Sequence, residues 1–162
     1  MDESGISALV NTDTWTRHHF KGTYSFDSVP ELSKHQQFAI VNYNNHWIAI
    51  FRLNSSRLEV FDSLGSEETV TTVVAHNYRL VKDISHIDFS LKPYQSVESV
   101  SCGAFCFYFI YKRLRCLDLS FKSALAELFS SDVEENERRV TAFLNEVERD
   151  QKYRDEVLKS RE

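Results

Sequence analysis

Between Gln36 and Ser63 short apolar runs alternate with asparagine-rich breaks. The runs are Phe38-Ala39-Ile40-Val41, Trp47 to Leu53 and Leu58 to Phe61, and Asn44-Asn45 and Asn54-Ser55-Ser56 separate them. Runs of this length bounded by turn residues read as strands. Asparagine tolerates the left-handed backbone that tight reversals require, so the segment predicts a three-stranded antiparallel meander. The middle run is apolar at successive positions, which puts it in the centre of the sheet with both faces covered.

Downstream the period changes. Ser66 reads as an N-cap, and the spacing of Val70, Val73, Val74 and Asn77 predicts a short helix. Ile84, Ile87 and Phe89 return to a strand pattern. From Ser101 to Cys116, residues Cys102, Phe105, Cys106, Phe109 and Ile110 fall at i, i+3, i+4, i+7 and i+8, the stripe of a core helix. Lys112, Arg113 and Arg115 close it, where positive charge suits the helix dipole. Helices are also predicted from Phe121 to Phe129 and from Val133 to about Leu158, the second with Val140, Phe143, Leu144 and Val147 as its apolar stripe. The mostly charged last dozen residues are expected to fray, and the N-terminus reads as poor in helix. Sheet first and helices after it give an α+β class, with a small antiparallel-rich central sheet and helices on its faces.

Composition narrows the function classes. The chain has 162 residues, enough for a single domain over 1–162, and no internal repeat. Hydrophobic residues make up 42% and charged residues 27%, which excludes a disordered chain, and 12 Phe predict a Phe-rich core. A net charge of −5 gives no overall field that draws in nucleic acid or an anionic membrane. No apolar run reaches the roughly 18 residues of a membrane span, and Met1-Asp2-Glu3 does not open a signal peptide. Three cysteines without a Cys-x-x-Cys pair make neither a disulfide framework nor a zinc pattern, so a reducing compartment is expected. His18, His19, His35, His76 and His86 lack ligand spacing; no metal or cofactor is expected.

The remaining chemistry lies in four segments: His46-Trp47, Phe61-Asp62-Ser63-Leu64-Gly65, Gln95 and Ser101-Cys102-Gly103. A cysteine nucleophile acts as its thiolate, and the unpaired N–H groups at a helix N-terminus lower a thiol pKa; Cys102 sits at such a position. Gly103 would leave room for a substrate carbonyl to approach the Cys102 N–H as an oxyanion donor. His46, at the start of the central strand, is the base in reach, and Asp62, ending the neighbouring strand, can orient it. Gln95, in a loop able to fold back, offers a second oxyanion donor. Cys106, one turn below Cys102, reads as core, and Cys116 as a partly buried bystander.

This ordered set resembles the adenovirus protease (adenain) family, cysteine endopeptidases related to the ubiquitin-like-protein (SUMO-type) proteases. The resemblance runs through Phe20-Lys21-Gly22-Thr23-Tyr24, Ala39-Ile40-Val41-Asn42, His46-Trp47, Gln95 with six residues before Cys102-Gly103, and Ala142-Phe143-Leu144. It implies an adenain- or papain-like fold in which Cys102 is nucleophile, His46 general base and acid, Asp62 the orienting group and Gln95 part of the oxyanion hole. Trp47, Asn45 and Gly103 would line the substrate site. The implied activity is cleavage of viral structural precursors during particle maturation at sites with small residues such as Gly, in the virion and the host nucleus or cytoplasm. SUMO or ubiquitin-like deconjugation is the alternative, because Phe61-Asp62-Ser63-Leu64-Gly65 reads as the SUMO-type branch, whereas adenovirus enzymes carry Glu as the acid. A dead binding or scaffold module is the non-enzyme alternative.

Two departures shape the expected regulation. Adenovirus enzymes take a peptide activator through a disulfide to a cysteine shortly upstream of the oxyanion Gln, a stretch that reads Asp83-Ile84-Ser85-His86 here. A non-covalent peptide that adds a strand to a sheet edge is the activator still expected, with Cys116 as the alternative tether. The acidic balance argues against DNA stimulation.

Overall fold

Asn44 and Asn45 take left-handed backbone, φ 50° and 62°, and this two-residue reversal sets Tyr43 directly opposite His46. The computed structural model describes residues 1–96 and 101–161. In chain order its elements are α1 (Glu3–Asn11), α2 (Thr14–His18), β1 (Phe20–Ser25), β2 (Phe38–Tyr43), β3 (His46–Arg52), β4 (Arg57–Phe61), α3 (Glu67–His76), α4 (Tyr78–Val81), β5 (His86–Phe89), α5 (Cys102–Arg113), α6 (Phe121–Leu128) and α7 (Val133–Ser160).

The strands form one sheet in the order β1-β2-β3-β4-β5. The expected meander is its middle, with β2–β3 and β3–β4 antiparallel, and β3 is central. The second reversal is closed by Asn54, whose Oδ1 accepts from the N–H of Ser56 and of Arg57. The two outer strands pair in parallel, so the sheet is mixed.

Alternation assigns each strand residue to a face. Phe38, Ile40, Trp47, Ala49, Phe51 and Phe61 meet α1, α5, α6 and α7, while Ala39, Val41, Ile48, Ile50, Leu58 and Val60 meet α3 and α4. Helices thus cover both faces, and the α+β class holds. α5 is buried nearly all round because it lies between the sheet and α7. Phe61 stacks on Phe109 with ring centroids 4.6 Å apart, and each such buried side chain contributes about 1.5–3 kcal/mol over exposure.

Several readings change. The N-terminus is not helix-poor: Asp2 caps α1 through the Gly5 N–H, and Asp13 caps α2 through the Thr16 N–H. β1, unpredicted, is a polar and half-exposed edge strand with a register shift between Phe20 and Gly22. Ser66 stands at the N-cap of α3 as expected, although its side chain makes no cap bond. Arg113 lies in the last turn of α5 as expected but is buried: it donates to the Cys116 and Leu119 carbonyls beyond the terminus and pairs with Glu59 of β4 at 2.9 and 2.7 Å. The segment expected to fray continues α7 to Ser160, with Gln151 bonded to Asp155 one turn on and Arg154 reaching back to the Thr12 carbonyl.

Candidate active site

The hairpin that begins with Asn44-Asn45 places His46 at the first position of β3, and β4 runs back beside it to deliver Asp62 just past its end. His46 Nε2 and Asp62 Oδ1 are 2.6 Å apart. Asp62 is fully buried and is held by the Leu64 N–H on Oδ1 at 2.9 Å and the Ser66 N–H on Oδ2 at 3.3 Å. The same carboxylate that orients the imidazole therefore closes its own turn. The turn needs Gly65, at φ 70°, because Lys92 backbone packs against it.

With Nε2 held by Asp62, the other ring nitrogen is left for Cys102, whose thiol interacts electrostatically with the imidazole. Cys102 opens α5 and is 8% exposed. Its Sγ also accepts from the Trp47 N–H at 3.4 Å. Burial on its own would raise the thiol pKa, but the His46 imidazole and the Trp47 and Gly103 N–H groups together bring it below its ordinary value. Burial would likewise lower His46, yet Asp62 and Cys102 raise it to about 9. Burial favours neutral Asp62 too, and His46 with the Leu64 and Ser66 N–H groups reverse that and hold its carboxyl low. The three shifts together favour a thiolate beside an imidazolium.

Gln95 is buried, and the Asp62–Ser63 turn grips it: the Ser63 hydroxyl donates to its Oε1 at 2.5 Å, and its N–H donates to the Ser63 carbonyl at 3.1 Å. The fold-back of the loop between Gln95 and Cys102 lies partly outside the described residues. Ser63 was not singled out in the sequence; its place beside Asp62 was the available signal.

Trp47 and Asn45 stand on a cleft of about 460 Å³ beside His46, walled on its other side by Met1, Asp2 and Glu3. The Trp47 indole donates to the Met1 carbonyl at 2.8 Å. Gly103 plays a different part from the one expected. A Cβ on it would lie 2.7 Å from Ile6 Cδ1 and 3.0 Å from Met1 Sδ, so its missing side chain makes room for α1 rather than for substrate. Cys106 is buried beneath, donates to the Trp47 carbonyl at 3.3 Å and has its pKa pushed well up by burial, which disfavours its thiolate. Among the described residues no group of three or more His, Cys, Asp or Glu could hold a metal ion.

No family model matches this chain, and no curated protein matches it. Among solved structures it is similar to ChlaDub1 from Chlamydia trachomatis, with 21% identity and a TM-score of 0.46 over 66% of this chain and 48% of that one. This chain thus spans about half the length of ChlaDub1. A second neighbour is the central domain of the Lpg1148 protein from Legionella pneumophila, at 12% identity and a TM-score of 0.46 over 79% of this chain and 88% of that one. The chemical reading therefore rests on the site itself.

Proposed function

We propose that the chain is a cysteine peptidase in which Cys102, His46 and Asp62 act as nucleophile, acid–base and orienting group. The carrying observation is a buried carboxylate 2.6 Å from an imidazole that, with the Trp47 and Gly103 N–H groups, lowers the pKa of a helix-terminal thiol. In this reading the thiolate attacks an amide carbonyl, and the oxyanion is met by the Cys102 N–H and the Gln95 side-chain amide. Imidazolium gives its proton to the departing amine, leaving a thioester; His46, now neutral, takes a proton from the water that hydrolyses it.

A nucleophile this deeply set beside a buried Trp47 is reached by a slender strand, so the residues flanking the scissile bond are small, Gly above all. Both a ubiquitin-like C-terminal tail and a Gly-containing viral precursor site meet that demand. We take ubiquitin-like processing or deconjugation as the main reading, because the acid is Asp62 in an Asp-Ser-Leu-Gly turn, the feature of the SUMO-type branch. Viral precursor cleavage stands second. The test is turnover by the wild-type chain and Cys102→Ala on a panel of ubiquitin-like C-terminal fluorogenic reporters beside Gly-containing precursor peptides. Turnover of a reporter that Cys102→Ala abolishes is expected; turnover of the precursor peptides alone would reverse the order, and turnover that survives Cys102→Ala would sink the enzyme assignment.

A further inference from the structure

We propose that the cavity between the loop from Phe89 to Tyr94 and α6 is a docking pocket for a partner segment that presents a large apolar side chain flanked by carboxylates, and that its occupancy acts on the catalytic turn. The cavity measures about 590 Å³, a size suited to one bulky group with its neighbours. Tyr94 and Phe129 stack at 4.6 Å to make its floor, and Phe89, Leu91 and Leu125 make its walls. Lys92 enters from the loop and Lys122 from α6; among the described residues no carboxylate lines the cavity and neither lysine makes an ion pair. Two unpaired cations over an aromatic floor, in a chain of net charge −5, select an apolar group that brings negative charge with it. The occupant is a protein segment rather than a small amphiphile because the rim is itself apolar and exposed. Leu91 is 57% exposed, with Pro93 and Ala126 beside it, and a ligand filling only the cavity would leave that rim in water.

The coupling follows from three contacts of the same loop. Ser90 Oγ donates to the Asp62 carbonyl at 2.9 Å and accepts from the Asp62 N–H at 3.2 Å. Lys92 backbone packs on Gly65 closely enough that a Cβ there would lie 2.7 Å from it. The N–H groups of Tyr94 and Gln95 both reach the Ser63 carbonyl, at 2.8 and 3.1 Å. A ligand that grips Lys92 and seats on Tyr94 therefore bears on both Asp62 and Gln95; this second half rests on the proposed peptidase reading, while the pocket does not.

Binding is read by NMR on the full chain with three capped tetrapeptides, Glu-Phe-Glu-Asp, Glu-Ala-Glu-Asp and Lys-Phe-Lys-Lys, and with laurate. Shifts centred on Leu91, Leu125 and Ala126 are expected with the acidic Phe peptide, several-fold weaker in Lys92→Gln and in Lys122→Gln and weaker in salt. Equal binding of the Ala or the basic peptide, absence of shifts at millimolar peptide, or tighter binding of laurate would overturn the pocket assignment. Thiol reactivity of Cys102 is followed in the same samples. A several-fold change on peptide binding supports the coupling, and an unchanged rate overturns it. Binding by a chain that turns over no substrate would count against the peptidase reading and leave the pocket standing.

Discussion

His46 at the start of β3 and Asp62 just past the end of β4, sixteen positions apart, are joined by a 2.6 Å bond at Nε2 of the ring. Asp62→Asn keeps the shape of the turn but replaces a charge that stabilises imidazolium. We expect kcat to fall about 10²- to 10⁴-fold with KM little changed, since an orienting acid acts mostly through the base it holds. A fall in both the rate and the alkaline pKa is the signature; loss of rate with the pKa unmoved would place Asp62 outside the relay.

The pH dependence follows from the directions of the shifts. Activity should rise from acid as Cys102 ionises at its lowered pKa, stay high while His46 keeps its proton, and decline around pH 9. Stability has a defined sign as well. Folded His46 holds its proton to about pH 9, and the unfolded group releases it near the ordinary 6.5. The stabilisation from protonated His46 is therefore complete below about 6.5 and is lost as pH rises through about 9. Denaturant midpoints of the wild-type chain and His46→Gln across that range should converge at the alkaline end.

Gly65 links the acid's turn to the loop behind it. Gly65→Ala meets Lys92 backbone 2.7 Å away at φ 70°, where no side chain can swing clear. A cost of about 1–3 kcal/mol is expected in urea unfolding, accompanied by a loss of rate as Asp62 shifts. A variant as stable and as active as wild type would show that the turn has slack.

The Glu59–Arg113 pair, with both side chains fully buried, lies under the sheet away from the thiol. Arg113→Met should cost about 3–5 kcal/mol by stranding a buried carboxylate, and the double variant with Glu59→Met should recover much of it. Thermal unfolding of the two variants checks this.

The elements legible in the sequence were those in which local and tertiary demands agree. β2 to β4 alternate faces and turn at asparagines that accept positive φ, and α5 carries an unbroken apolar stripe. β1 was hidden because Phe20-Lys21-Gly22-Thr23-Tyr24-Ser25 is polar and half-exposed, and its pairing with β2 is decided by contact rather than by period. α1 and α2 were announced by Asp2 and Asp13, caps that short helices make easy to overlook. The order of His46, Asp62, Gln95 and Cys102 was readable, and the meander already implied that His46 and Asp62 share one end of the sheet. The Trp47 N–H on the thiol, the Ser63 grip on Gln95 and the filling of Gly103 by Ile6 were not, because each joins residues far apart in the chain.

The central claim is that Cys102 is a thiolate held by His46 while Cys106 is an inert buried thiol. The most direct measurement is the rate of iodoacetamide modification of each cysteine, followed by peptide mass from pH 5 to pH 10. The expected result is that Cys102 reacts below the pH of an ordinary thiol, that His46→Ala moves its profile upward, and that Cys106 stays unmodified while the chain is folded. Modification of Cys116 with Cys102 untouched at neutral pH, or a Cys102 profile that His46→Ala leaves in place, would contradict it.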